Sequence, residues 1–356
     1  MGGAETAGRP VTPPYIPLVR SMTIERMPEL LDRMNVRFDR LLRQAGLPEI
    51  RLDENTSFLP LRDVLAIADG AARATGIEHF SLMLAAAGGL DALGDYGTYI
   101  KSAPTLLGAM QRAGRYISWH TLGAQLSLRS EGPLCVWRYD LPLSIRENRQ
   151  HGYPFALVHM REIVRLAAGR HWLPRELRLE QPPSASYRRA LVEEFGPRIR
   201  CEAGENALVL DKALLGMPLA GSRTNPAAPS CDAAAVALAS GTPSAEFIKS
   251  LRLLIRSYLP AGYPRAARLA RDSGLSLRSF QRALALAGYS FSEIVDQVRF
   301  EMATEMMQRA GTRLIDVCLE LGYSDAANFT RAFRRWTGTA PRAYRSLSQE
   351  REPSRP

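Results

Sequence analysis

Arg278, Gln281 and Arg282 fall at the i, i+3, i+4 spacing of one helix face, and Asn328, Arg331, Arg334 and Arg335 fall within a second helix about fifty residues on. A guanidinium is a planar fork of donors that matches guanine O6 and N7, and a carboxamide matches adenine N6 and N7. The same guanidiniums pair with phosphate oxygens without reading sequence. Ala326 and Ala327 stand where the second helix would meet bases, and a methyl group can only touch a thymine methyl. Ser276 and Ser279 are suited to meet phosphate or to cap the first helix. The chemistry offered is recognition of base edges and phosphates, with the first helix expected to discriminate more than the second. Arg334 and Arg335 are expected to clamp phosphate.

Two local patterns must position these side chains. Leu314, Ile315, Cys318 and Leu321 recur as one apolar helix face, and Gly322 then turns the chain. Ser324 can cap a second helix by accepting from its free N–H groups. That helix puts Phe329, Phe333 and Trp336 inward and leaves residues 325–328, Arg331, Arg334 and Arg335 outward. The same grammar appears earlier: a short helix through Ala267, Leu269 and Ala270, a turn at Ser273–Ser276, and a helix from Leu277 to Ala287 with Phe280 and Leu284 inward. Ser290 and Glu293 form a capping-box pattern that opens a connecting helix to about Arg309. Some twenty residues span roughly 30 Å, close to the roughly 34 Å of one DNA turn. Each unit reads as a helix-turn-helix.

On these residues the segment 244–346 resembles the DNA-binding domain of AraC/XylS-type transcription regulators. The carriers are Ala270, Ser273-Gly-Leu-Ser276 and Gln281-Arg282; Val298-Arg299; Ile315, Val317 and Leu321-Gly-Tyr-Ser-Asp325; Asn328 through Trp336; Gly338; and Pro341, Tyr344 and Arg345. Cys318 stands where the family usually has Ala, a small residue for a small residue. The resemblance makes Arg278, Gln281 and Arg282 base-contacting positions and implies double-stranded DNA as the partner.

The whole chain fits that reading. A length of 356 residues suggests two domains. The net charge is +10, and residues 244–346 hold 16 Lys and Arg against 9 Asp and Glu, a net +7. The excess therefore sits where phosphate would be met. No run of eighteen or so apolar residues suggests a membrane span, and the Pro-containing N-terminus lacks an apolar signal core. Four scattered cysteines suit a reduced, cytoplasmic chain.

Residues 1–14 read as disordered, 15–220 as one domain, 221–243 as an Ala-, Pro- and Ser-rich linker with a helical turn at Asp232–Ala239, 244–346 as the DNA-binding domain, and 347–356 as a disordered tail. The DNA-binding domain is expected to be all-α, with two helix-turn-helix units joined by a long helix. Its first helix carries Phe247, Ile248, Leu251, Leu254, Ile255 and Tyr258 as a core stripe. The N-terminal domain is expected to be α+β, helices plus a small antiparallel sheet. Its helices run through Met27–Met34, Phe38–Leu42, Leu61–Ala68, Phe80–Ala87, Pro104–Trp119, Tyr153–Ala168 and Tyr187–Phe195, with a break at Pro48 and Asp53–Asn55. A hairpin joins Gln125–Arg129 to Leu134–Tyr139, and further strands fall at Glu176–Glu180, Ile199–Cys201 and Ala207–Leu210. Gly88–Gly97 reads as a glycine-rich connection; it lacks the Lys-Ser/Thr ending of a phosphate loop.

Residues 20–220 are similar to the arabinose-binding-type effector domain found ahead of some AraC-type DNA-binding domains. The carriers are Leu93-Gly and Gly97, Ser102 with Pro104-Thr105, Trp172 and Pro174, Gln181-Pro-Pro183, Asn206 and Leu208, Leu214 and Pro218-Leu219. The resemblance implies ligand sensing, dimerisation or both, and names no ligand. A small-molecule effector, a homodimer and RNA polymerase are the further expected partners. No effector-binding residue, cofactor or metal is assigned. His151 and His159, eight residues apart, could share a helix face if their helix began before Pro154; partly exposed structural histidines are the expectation. No nucleophile elbow, Walker loop or metal-ligand spacing is present, so no enzyme is expected. The alternatives are an enzyme domain fused to a DNA-binding module, and an architectural DNA-binding protein. Activator and repressor are both compatible with these residues.

Overall fold

The computed structural model describes residues 15–47, 57–142, 144–220, 243–309 and 311–350. The expectations for residues 1–14, for Pro48 and Asp53–Asn55, for residues 221–242 and for the tail beyond 350 lie outside them. The chain divides into two units, one of residues 17–240 and one of residues 241–356 together with 1–16.

The first unit opens with β1 (Leu18–Arg20), then α1 (Met27–Asp32), α2 (Phe38–Gln44), β2 (Phe58–Pro60), α3 (Leu61–Thr75), α4 (Phe80–Gly88), α5 (Gly94–Lys101) and α6 (Leu106–Tyr116). Strands β1 and β2 pair antiparallel, Val19 opposite Leu59. This ribbon has no counterpart in the sequence reading, because three-residue strands are too short to show alternation. The expected connection at Gly88–Gly97 is instead a 3₁₀ turn over Gly89–Leu93 followed by α5. A Cβ on Gly97 would lie 2.2 Å from the Leu90 carbonyl oxygen, so glycine is needed for close backbone approach here.

Strands β3 (Gln125–Glu131) and β4 (Leu134–Asp140) form the expected hairpin around Gly132-Pro133. After α7 (Arg149–Ala168) come β5 (Glu176–Arg178), α8 (Ala185–Phe195), β6 (Ile199–Arg200) and β7 (Ala207–Asp211). The sheet order is β3-β4-β7-β5-β6. The β5–β6 pair is parallel while the other pairs are antiparallel, so the sheet is mixed rather than purely antiparallel. The α8 crossover between β5 and β6 imposes that direction. Helix α7 packs against α4, β4 and β7. Leu157 and Val164 of α7 and Trp137, Leu177 and Leu208 of the sheet are almost fully buried.

Helix α7 starts five residues before Pro154, which therefore sits inside it. His151 and His159 are both buried, which corrects the expectation of partial exposure. Each is tied locally: His151 lies 3.3 Å from both Ser81 Oγ and Asp69 Oδ1, and His159 Nδ1 lies 2.7 Å from the Phe155 carbonyl. Among the described residues no group of three His, Cys, Asp or Glu is placed to hold a metal.

The second unit contains α9 (Pro243–Tyr258), α10 (Ala266–Asp272), α11 (Leu277–Leu286), α12 (Phe291–Gln308), α13 (Leu314–Glu320), α14 (Ala326–Thr337) and α15 (Pro341–Glu350). Helix α15 continues into the stretch expected as tail. The stripe Phe247, Ile248, Leu251, Leu254, Ile255 and Tyr258 is buried as expected. The outer side of α9 is tied to α12 by Arg252 with Glu301 at 2.5 Å and by Arg256 with Glu305. Ile16 is fully buried here, its amide donating to Ser250 Oγ at 2.9 Å.

Candidate nucleic-acid interface

Each reading helix is launched by a left-handed glycine and a side-chain cap. In the first unit Gly274 has φ +70°. Ser276 Oγ accepts the Ser279 amide at 3.2 Å and donates to Ser279 Oγ at 3.0 Å. Ser276 is therefore the cap, and Ser279 completes it. Phe280, Ala283 and Leu284 face the core, which forces Arg278, Gln281 and Arg282 to the exposed side. These three side chains make no hydrogen bond or ion pair among the described residues. Their donors are open to an incoming acceptor.

The second unit departs from expectation at its cap. Asp325, not Ser324, takes the position before α14, and its carboxylate accepts the Asn328 amide at 2.7 Å. Asp325 sits in extended backbone at φ −151° and ψ 154°, which aims its side chain at the helix start. Ser324 donates to the Asp325 carboxylate at 3.4 Å instead. The bond from the Asn328 amide, foremost, holds the Asp325 carboxyl below its ordinary range. Phe329, Ala332 and Phe333 are buried, leaving Ala326, Ala327, Asn328, Arg331, Arg334 and Arg335 exposed. Their polar ends are differently engaged from those of the first unit. Asn328 donates to Asp325 and accepts from Arg331. Arg335 pairs with Asp296 of α12 at 2.7 Å. Arg334 has no polar partner among the described residues.

The preceding helix α13 is rotated from the expected face. Val317, Cys318 and Leu321 are fully buried, while Ile315 is 46% and Leu319 53% exposed. Apolar residues on several sides of a seven-residue helix leave periodicity undecided. Packing against the Leu259–Ala261 turn, α12 and α14 decides it.

The sequence marks Arg299 only as a carrier of the family resemblance and does not single out Asp272, yet these residues hold the two turns in place. Arg299, on α12, is 6% exposed and donates to the Leu321 carbonyl at 2.9 Å and the Gly322 carbonyl at 3.3 Å. It thereby satisfies carbonyls left free at the end of α13. Its guanidinium also lies over the Tyr323 ring at 4.1 Å and the Tyr263 ring at 5.0 Å. In the first unit Asp272, 3% exposed, accepts from Tyr258 Oη at 2.9 Å and faces Arg268 at 3.6 Å and Arg271 at 3.5 Å. The signal for Arg299 was a charged residue adjoining the apolar stripe Val295, Val298 and Met302. The capping box of α12 is present as expected, Ser290 Oγ accepting the Glu293 amide at 3.3 Å and Glu293 accepting the Ser290 amide at 2.7 Å.

Comparison with known proteins finds two family matches and several similar chains. The family model for the arabinose-binding domain of AraC transcription regulators matches residues 36–219, and a helix-turn-helix family model matches residues 269–346. The HTH-type transcriptional regulator VirS of Mycobacterium tuberculosis is 25% identical over 317 residues, covering 86% of this chain and 89% of that protein. The ornithine utilization regulator of Pseudomonas aeruginosa is 32% identical over 167 residues, 46% of this chain and 48% of its own length. The crystal structure of the transcriptional regulator CdpR from Pseudomonas aeruginosa aligns with 87% of this chain and 96% of that chain, at 21% identity and a TM-score of 0.38.

Proposed function

This chain belongs to the AraC family of DNA-binding transcription regulators that carry an arabinose-binding-type effector domain ahead of the helix-turn-helix region, and from that premise we propose how it reads DNA. The helices Leu277–Leu286 and Ala326–Thr337 enter successive major-groove segments. Arg278, Gln281 and Arg282 read base edges in the first segment. Asn328 and Arg331 contribute in the second, where Ala326 and Ala327 touch thymine methyls. Arg334 and Arg335 hold phosphate, Ser276 and Ser279 secure the first helix, and Ser324 supports the start of the second.

The observation that carries this reading is the openness of Arg278, Gln281 and Arg282, three exposed donor groups on one helix face with no partner among the described residues. In the second unit Asn328 and Arg331 bind each other, so DNA contact there must first break that bond. Sequence discrimination is accordingly strongest in the first half-site. The N-terminal domain tunes this activity through a small-molecule effector, a homodimer contact or both, in the cytoplasm, and transcription responds through RNA polymerase. The chain is a regulator and not an enzyme, in keeping with its relatives.

Selection of binding sites from random DNA with the purified full chain tests the proposal. The expected product is a bipartite site whose halves lie about 10 bp apart. Enrichment of a site shorter than one turn, or no enrichment, overturns it.

A further inference from the structure

The N-terminal unit holds a cleft of about 670 Å³, a size suited to a small molecule. Its floor is apolar and buried: Leu157 is 0%, Leu191 2% and Tyr153 8% exposed. The polar groups on its walls are unevenly satisfied. Arg73 is neutralised by Asp69, which also meets His151. Glu78 is taken by the hydroxyls of Ser184 and Ser186. Three charges have no such match. Arg146 is exposed at the rim and has no polar partner among the described residues. Among the described residues Arg149 donates to neutral groups alone, the Ile145 carbonyl at 2.7 Å and the Tyr153 hydroxyl. Among the described residues Glu180 meets Asn206 alone by hydrogen bond, Nδ2 donating to its carboxylate at 3.4 Å and Oδ1 accepting its amide at 3.2 Å. Asn206 is 5% exposed, so it is a fixed support for Glu180.

The cleft thus presents two guanidiniums and a carboxylate that share one cavity without neutralising one another. We infer that this cleft is the effector site and that its ligand is a small amino-carboxylate, an amino acid or a close analogue. The ligand carboxylate pairs with Arg146 and Arg149 in the planar geometry that guanidiniums favour. Its ammonium pairs with Glu180, and its carbon body lies on Tyr153, Leu157 and Leu191. A neutral ligand would leave these three charges unmatched, whereas an amino-carboxylate supplies an opposite charge to each. The cleft also unites two stretches that carried the resemblance to effector domains, Gln181–Pro183 and Asn206.

This inference rests on reading the N-terminal unit as an effector domain, and the test separates the two. Thermal-shift and calorimetric titrations of the full chain would use three probe sets: the common L-amino acids, the amine and the carboxylic acid obtained from each binder by removing one charged group, and the neutral sugars L-arabinose and D-glucose. At least one amino acid should bind, and each singly charged counterpart should bind at least about tenfold more weakly. Arg146→Gln and Glu180→Gln should each weaken that amino acid by a similar factor while unfolding within a few degrees of the parent, since both side chains are exposed. Sugar binding unaffected by Arg146→Gln would overturn the ligand class and leave the effector reading standing. A carboxylic acid that binds as well as its amino acid and ignores Glu180→Gln would overturn the ammonium contact. No binding by any probe would overturn the amino-carboxylate inference and leave the effector reading standing, because effectors of other chemistry lie outside the probe set; an enriched DNA site would still uphold the DNA-reading half of the function.

Discussion

Arg299 Nε donates to the carbonyl oxygen of Leu321 at 2.9 Å, from the connecting helix to the last turn of the helix before the second reading helix. One buried guanidinium thereby anchors the turn that leads into α14. Arg299→Leu should destabilise the DNA-binding unit by about 1.5–3 kcal/mol, the usual worth of hydrogen bonds to a charged group. Arg299→Lys should recover only part of this, because an ammonium cannot reach two carbonyls and stack on Tyr323 in one planar arrangement. Urea unfolding of the three proteins measures it. A lysine variant as stable as the parent would mean that charge alone matters here.

The two turn glycines should differ in tolerance. Gly274 and Gly322 both have φ +70°, but a Cβ on Gly274 meets nothing within 4 Å, whereas one on Gly322 would lie 2.4 Å from the Leu259 carbonyl oxygen. Gly274→Ala should cost roughly 1–2 kcal/mol, the backbone penalty of the left-handed region. Gly322→Ala should add an overpacking cost of about 1–3 kcal/mol to that. Equal losses in thermal melts would show that the Leu259 turn moves aside freely.

Capping offers a paired test. Asp325→Ala removes the acceptor for the Asn328 amide and should cost about 1 kcal/mol of stability. Ser324→Ala should cost less than about 0.5 kcal/mol, as an exposed substitution away from the cap. A larger loss at Ser324 would restore it as the cap.

On DNA, Arg282→Ala should lose about 1–3 kcal/mol at one base position and relax the preference there. Arg334→Ala should weaken all sequences alike and reduce the salt slope by about 1. Arg335→Ala should behave similarly but with a smaller loss, because Arg335 must leave Asp296 to reach phosphate. Binding isotherms over a panel of single-base variants at several salt concentrations would check this. Uniform losses for Arg282→Ala would remove it from the base-reading set.

Acid should weaken the N-terminal unit. Burial pushes His120 down to about 3 and also lowers His151 and His159. Below about pH 6.5 the unfolded chain takes up protons on these imidazoles that the folded chain refuses. Stability should therefore fall as pH drops from 6.5, and for His120 the loss continues towards pH 3. Each histidine contributes a slope of up to about 1.4 kcal/mol per pH unit. His120→Gln should flatten the fall in denaturant midpoint between pH 7 and pH 5. An unchanged slope would mean that His120 is not among the groups resisting protonation.

The local sequence determined the helix-turn-helix grammar. The i, i+3, i+4 apolar spacing selects Phe280 and Leu284, or Phe329 and Phe333, as the inner side, and a glycine at each turn fixes where the chain reverses. Once those positions are inside, Arg278, Gln281, Arg282, Arg331 and Arg334 have nowhere to go but outward. The hairpin around Gly132-Pro133 and the capping box of Ser290 and Glu293 were legible for the same reason, since neighbours in the chain supply both partners.

Contacts between residues distant in the chain decided the rest. Ser324 and Asp325 are both competent caps, and the backbone angles set by packing chose Asp325. Ile315 and Val317 are equally apolar, and the neighbours of α13 chose which one to bury. The parallel β5–β6 pair, the hold of Arg299 on Leu321, and the placing of Arg149 and Glu180 on the walls of one cleft each bring together segments more than twenty residues apart. Periodicity reports which side of an element is apolar; only the folded chain fixes which partner lies against it.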